Sequence, residues 1–256
     1  MLNLKEKAEQ FRALHVAGRP LVLFNAWDAG SAKAVAAGGA LAIATGSWSV
    51  AAANGYADGE KVPFDFAIDN LARIANSVGL PITIDLESGY GQYPESVAES
   101  VRRAIRAGAI GCNLEDSVPG SGALRPANEQ AERLAAARAA AASLSLPFFI
   151  NARTDLFLTT ASNTHDDALA ADAISRARIY AEAGADGFFV PGLADKKLIA
   201  RIVAQSPLPI NIMVTDTTPP LKDLAELGVA RVSHGPRPYL QMMKALEQAA
   251  RAAAHI

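Results

Sequence analysis

Two acidic side chains, spaced two apart at the end of an apolar run, are the first feature of this chain that could do chemistry. The run PITIDLE at 81–87 closes on Asp85 and Glu87, and Ser88-Gly89-Tyr90-Gly91 follows. Side chains alternate along an extended strand, so Thr83, Asp85 and Glu87 share one face while Ile82, Ile84 and Leu86 share the other. The aliphatic face suits a wall of helices. The two carboxylates then point together the other way. Like charges that close need a cation or a shared proton. Hard oxygen ligands of this kind favour Mg2+, which usually keeps several waters.

The next run, AIGCNLE at 109–115, repeats the arrangement. Asn113 and Glu115 share a face, and Glu115 joins the strand-end carboxylates. Cys112 and Leu114 take the other face, so the sole cysteine reads as packing, not as nucleophile or ligand. The run PFFINAR at 147–153 puts Asn151 and Arg153 on one face. An arginine there can pair with Glu115, or hold a substrate carboxylate in a two-pronged grip. ALAIAT at 40–45 ends in Thr45-Gly46-Ser47, a turn whose N–H groups could meet a carboxylate or enolate oxygen. PINIMV at 209–214 brings Asn211, and ARVSHG at 230–235 brings Ser233 and His234. Of the histidines, only His234 sits at the end of a run. His15 and His255 fall on terminal helical segments, and His165 opens a helix. His234 is read either as a proton donor or as a loop side chain.

These residues need elements to hold them. With PLVLFNA at 20–26 and DGFFVPG at 186–192, the apolar runs number eight. Each is near-continuously apolar, as a covered parallel strand should be. Helical patterns such as PESVAESVRRAIRAG and DDALAADAISRARIYAEAG lie between them, and several close on a glycine, as at Gly108 and Gly184. Repeated strand–helix alternation predicts a (β/α)8 barrel forming one domain over residues 1–256, with a doubly wound sheet as the alternative. Barrel sites lie at the C-terminal ends of the strands. The long connections Trp48–Val62 and Ser117–Pro126 are expected to carry function.

Composition narrows the classes. With 24 basic and 26 acidic side chains, the net charge is -2, which offers nothing to nucleic acid or to an acidic membrane. A single cysteine allows no internal disulfide and fits a reducing, cytoplasmic compartment. The N-terminal MLNLKEKAEQFRALH reads as a charged amphipathic helix, not a leader, and no apolar run has transmembrane length.

Taken in order, LFNAWDAGSA, ATGSWSVAAANGYADGE, IDLESGYG, NLED, INARTD and PINIMV resemble the isocitrate lyase and phosphoenolpyruvate mutase superfamily over nearly the full length. The resemblance implies a (β/α)8 barrel whose last helix is exchanged between subunits, and a homotetramer. It implies Mg2+ held, directly or through water, by Asp85 and Glu87, with Glu115 in the same water shell and Asp58 nearby. It implies an α-oxo acid at Thr45-Gly46-Ser47, a carboxylate grip by Arg153, and a substrate-side Asn211. The lyase loop K-[KR]-C-G-H has no counterpart in Ser117–Pro126, where no side chain titrates near neutral pH, and the lysine- and asparagine-containing gating loop of the phosphonopyruvate mutases is missing too. That loop is expected to gate the site without donating a proton, and His234 or Tyr90 to act instead. The expected activity is cleavage of a C–C bond, decarboxylation included, in a small oxo- or hydroxy-di- or tricarboxylate. The alternatives are P–C mutase or hydrolase chemistry, and an α-oxo-acid-binding barrel without turnover.

Overall fold

The computed structural model describes residues 3–254; His255 lies outside them. In chain order the elements are α1 (Leu4–Ala13), β1 (Leu21–Leu23), α2 (Ala29–Ala37), β2 (Ile43–Ala44), α3 (Ser47–Ala53), α4 (Phe64–Ser77), β3 (Ile82–Asp85), α5 (Pro94–Arg106), β4 (Gly111–Glu115) and α6 (Ala127–Ser143). There follow β5 (Phe149–Arg153), α7 (Leu156–Thr159), α8 (Asp167–Glu182), β6 (Gly187–Phe189), α9 (Lys196–Gln205), β7 (Ile210–Met213), α10 (Leu221–Glu226), β8 (Arg231–Ser233) and α11 (Arg237–Ala254). Each of the eight apolar runs supplies one strand. All the ladders are parallel, in the order β1-β8-β7-β6-β5-β4-β3-β2. A single parallel bridge, Ala26 to Thr45, closes β1 on β2 and completes a (β/α)8 barrel.

The helices form where local chemistry favours them. Asn3 caps α1 by accepting the Glu6 N–H at 2.9 Å, while the Glu6 carboxylate accepts the Asn3 N–H at 2.8 Å. Helix α5 starts on Pro94 and buries Val97, Val101, Ala104 and Ile105 along one stripe. Gly108, at φ +105°, ends it in a backbone state that a side chain would strain. The long connection after β2 is not all loop: α3 occupies its first half.

The aliphatic faces of the strands meet the helices, and the inside of the barrel is unusually polar. Thr83, Asn113, Asn151, Asn211, Arg231 and Ser233 all lie buried there, where barrels more often carry branched aliphatics. The Asn151 amide donates to Asn113 Oδ1 at 2.9 Å, and Arg231 Nη2 reaches the same oxygen from across the barrel at 3.4 Å. Gly187 makes room for this layer, because a Cβ there would fall 2.7 Å from Asn151 Oδ1. Helix α1 closes the floor, with Phe11 edge-on to Phe149 and His15 stacked on Phe149 at 4.1 Å. Burial and the nearby Arg231 charge push His15 down to about 3, so it is a neutral packing group at physiological pH. Cys112 is buried against the helical layer, and burial pushes its thiol upward. Among the described residues, no helix is long and apolar enough to cross a membrane.

Candidate active site

Asp85 is the last residue of β3, and the turn after β2 holds it. Its Oδ2 accepts the Ser47 hydroxyl at 2.9 Å and the Ser47 N–H at 3.3 Å, while its own N–H donates to Thr45 Oγ1 at 3.0 Å. The other donors of that turn are committed elsewhere. The Thr45 N–H donates to the Thr83 carbonyl at 3.0 Å and the Gly46 N–H to the Ala26 carbonyl at 3.2 Å. This corrects the sequence reading of Thr45-Gly46-Ser47 as a set of open N–H groups. Pairing with β3 uses the Thr45 N–H, closure onto β1 uses that of Gly46, and Ser47 serves Asp85.

Glu87 leaves the strand. Its φ of 51° is left-handed, as are those of Tyr90 at 54° and Glu60 at 60°. Non-glycine residues in that region store strain, and such strain concentrates at functional sites. The Glu87 carboxylate accepts the Glu60 N–H at 2.6 Å and the Tyr90 O–H at 3.0 Å. The Glu60 carboxylate in turn accepts Ser88 Oγ at 2.7 Å and the Tyr90 N–H at 2.8 Å. Glu60 therefore latches the long β2–α4 connection onto the turn after β3. Sequence reasoning missed it, since only its place directly after the Asp58-Gly59 turn marks it.

Glu115 ends β4 and meets Arg153, which ends β5. Arg153 Nη1 lies 2.7 Å from Glu115 Oε2. The other edge of the guanidinium grips Asp155 in two prongs, at 2.6 and 2.9 Å. Burial disfavours the Arg153 charge, but Glu115 and Asp155 more than compensate and keep it firmly protonated. Asp155 was not singled out from sequence, and its position two residues after Arg153 is the signal that could have found it. Ser117, the first residue of the following loop, donates its hydroxyl to Glu115.

The carboxylates feel one another. Burial, then Asp85 and Asp58, push Glu87 up to about 7. Burial and Asp85 likewise raise Asp58, with Arg153 and the Ser47 hydroxyl pulling it back. Burial raises Glu115, with the Arg153 guanidinium opposing. Asp58, Asp85, Glu87, Glu115 and Arg153 thus form one electrostatic cluster at the C-terminal end of the barrel; Asp85, Glu115 and Arg153 reach it from strand ends. A narrow cavity opens onto it, lined by Thr45, Ser47, Asp85, Glu87 and Tyr90 among others.

Two expected members lie elsewhere. His234 donates its N–H to the Leu23 carbonyl at 3.0 Å and packs its ring on Phe24 at 4.9 Å. Strand parity explains this: Arg231 and Ser233 face inward, so His234 turns out toward the helices. Burial and Arg237 lower its affinity for a proton. Asn211 is 1% exposed, and its amide is paired with Ser233 at 3.1 and 3.2 Å. It lies within the interior layer rather than on the cavity. Tyr90 does line the cavity, and burial and Glu87 push its hydroxyl well above the usual phenol range.

Residues 11–254 match the family described as phosphoenolpyruvate phosphomutase. The chain belongs to the isocitrate lyase and phosphoenolpyruvate mutase superfamily. Within that superfamily it is 38% identical over 244 residues to an uncharacterized protein of Mycobacterium tuberculosis, covering 94% of this chain and 88% of that one. It is 29% identical over 263 residues to 2-methylisocitrate lyase of Salmonella typhimurium, covering 97% and 84%. A crystal structure from Burkholderia cenocepacia, provisionally named a phosphonomutase, superposes with a TM-score of 0.96 at 56% identity, over 98% of this chain and 100% of that one. Lyases and mutases thus both occur among its relatives.

The raised Glu87 has a measurable consequence. The folded protein keeps a proton on Glu87 up to about pH 7, whereas the unfolded chain, with an ordinary value of 4.5, releases it earlier. Folded protein then binds more protons than unfolded across that window, so stability falls as pH rises through it. In EDTA, the Tm of wild type relative to Glu87→Gln is expected to drop between these values, and Mg2+ should reverse the drop. A Tm difference independent of pH would contradict the placement of Glu87.

Proposed function

We propose that this chain is a Mg2+-dependent carbon–carbon lyase. It acts on a small oxo- or hydroxy-di- or tricarboxylate through a pyruvate-type enolate. The observation that carries this reading is the gathering of four carboxylates, Asp58, Asp85, Glu87 and Glu115, with one buried arginine at the barrel mouth. The donor set fits a hard divalent cation: it is all oxygen, and burial together with mutual repulsion raises Asp58 and Glu87. Among the described residues, no three acidic, histidine or cysteine side chains converge into a direct cage, which suits an ion that keeps several waters. Bound there, Mg2+ would stabilise negative charge on the substrate oxo oxygen.

The chain's own residues supply the rest. Ser47 and Thr45 fix Asp85 from two sides. Arg153 offers the one guanidinium of the cluster for a substrate carboxylate. The loop after β4 is a small hairpin, with Ser117 bridged to Leu124 and the Val118 N–H on the Ala123 carbonyl at 2.8 Å. Its tip is exposed, and closure over substrate would exclude water. Its one charge, Arg125, is not free: it is buried and paired with Glu129 at 2.8 Å. With His234 turned outward, Tyr90 is the rim residue placed to return a proton, from Oη. Tyr90→Phe should therefore lower turnover by about 10²–10⁴-fold. Ser121→Ala, whose hydroxyl bonds only within the hairpin, should cost less than about tenfold. The opposite ranking would move the proton donor into the loop.

Assembly as a homotetramer in the cytoplasm belongs to the same proposal. Helix α11 leaves the barrel with Leu240, Met242 and Leu246 about half exposed or more. Beside its start, an apolar groove of about 780 Å3 runs between β1 and α2, with Trp27, Leu41 and Pro238 in its wall. Patches of this kind mark interfaces, and a helix exchanged between subunits would cover both surfaces. Light scattering at micromolar concentration should give a stable oligomer, and a monomer would overturn the exchange.

The activity is tested by incubation with Mg2+ and oxaloacetate, isocitrate, methylisocitrate or phosphonopyruvate, following pyruvate, glyoxylate and phosphate. Pyruvate or glyoxylate from a carbon acid is the expected result. Phosphate from phosphonopyruvate would reassign the bond to P–C. Mg2+-dependent binding of these acids with no product would make the barrel a binding protein.

A further inference from the structure

Asp116 lies next to Glu115 yet is fully buried, away from the cavity. A buried carboxylate is costly unless its oxygens are hydrogen-bonded, and here both have named partners. Oδ1 accepts the Asp155 N–H at 3.0 Å. Oδ2 accepts the Tyr180 hydroxyl at 2.9 Å and Arg176 Nη1 at 3.0 Å, both from α8. The main chain of Asp116 is tied on both sides as well. Its N–H donates to the Arg153 carbonyl at 3.1 Å, and its carbonyl accepts the Arg125 N–H at 2.7 Å. Arg176 Nη1 also donates to the Arg125 carbonyl at 3.0 Å.

These bonds form a continuous path. Tyr180 and Arg176 orient Asp116, Asp116 orients the Asp155 peptide, and the Asp155 carboxylate fixes two of the three nitrogens of Arg153. Arg125 stands at the exit of the β4 hairpin, so the Asp116 carbonyl and Arg176 together hold the base of that loop. Burial of the path is close to complete at Asp116 and Tyr180, at 0% exposure each. Arg153 is the member of the path that pairs with Glu115 of the carboxylate cluster, so the path acts through Arg153 and not on substrate.

We infer that Asp116, Tyr180 and Arg176 are positioning residues that aim Arg153 for a substrate carboxylate and lock that aim to the base of the β4 hairpin. The inference rests on the proposed role of Arg153. Its test uses oxalate, which has the shape and charge of a pyruvate enolate, titrated calorimetrically into the full chain with saturating Mg2+. A parallel titration measures Mg2+ alone. Tyr180→Phe removes one hydroxyl and keeps the ring, so folding should survive. It should weaken oxalate by about tenfold or more, the usual cost of losing an outer-shell partner, while Mg2+ binding changes less than twofold. Asp172→Ala, which removes only an exposed partner of Arg176 at 3.3 Å, should leave both titrations unchanged. Should Tyr180→Phe lower only the Tm and keep wild-type oxalate affinity, the positioning role is overturned and the network is a folding element. Failure of the wild type itself to bind oxalate with Mg2+ would instead overturn the proposed function, and the inference with it.

Discussion

Asp85→Ala is expected to abolish Mg2+-dependent turnover, by on the order of 10²–10³-fold or more, while leaving the barrel folded. Asp85 is the group that every other carboxylate of the cluster feels. It raises Glu87 and Asp58, and it also acts on Glu115. No other side chain shares that position. Its hydrogen-bonding anchors are Ser47, Thr45 and the Glu87 N–H, and its charge also faces the buried Arg231 and Arg153. Relief of repulsion at Glu87 and Asp58 offsets the lost attraction to Arg231, so the metal-free Tm should stay near wild type. Circular dichroism and a Tm in EDTA check the fold, and turnover with and without Mg2+ checks the site. Wild-type turnover in a folded Asp85→Ala protein would remove the metal assignment.

Arg153 should show the second large effect, and of a different kind. Its guanidinium is flanked by Glu115 and Asp155, with side-chain exposures of 17%, 14% and 9%. Arg153→Ala strands two carboxylates in a nearly dry site, which typically costs about 3–5 kcal/mol of stability. That loss alone would not reveal function. Arg153→Lys separates the two roles, because it keeps the charge but lacks the planar fork. It is expected to fold, retain Mg2+ binding and lose oxalate affinity by about 10–100-fold. A lysine variant with wild-type oxalate affinity would show that the guanidinium serves only the ion pairs. The substrate carboxylate would then be held elsewhere.

The two effects differ because the residues differ in what they hold. Asp85 is held by hydroxyl and amide donors and repels its neighbours, so its loss is chemical. Arg153 is the counter-charge of the site, so its loss is both chemical and structural. The same distinction makes Tyr180→Phe the milder and more informative probe of the Asp116 path.

The eight strands and the gathering of Asp85, Glu115 and Arg153 were legible in the sequence. Both follow from short-range rules: a parallel strand covered on both faces is a continuous apolar run, and its alternating side chains carry polar residues to one side at its end. Parity also placed Cys112 in the packing layer. What only the tertiary structure decided depends on contacts between residues far apart in the chain. His234 directly follows β8, yet Ser233 holds the inward position and the histidine packs on Phe24, just after β1. Asn211 has inward parity but is spent on Ser233 of β8. The turn after β2 loses two N–H groups to β1 and β3 when the barrel closes. Glu87 reaches the cluster only through a left-handed backbone that Glu60 braces across 27 positions. Asp116 finds its partners on α8 across 60 and 64 positions. Periodicity is a property of the local backbone and can be read from neighbours in sequence. Which donor meets which acceptor depends on the twist and closure of the whole barrel.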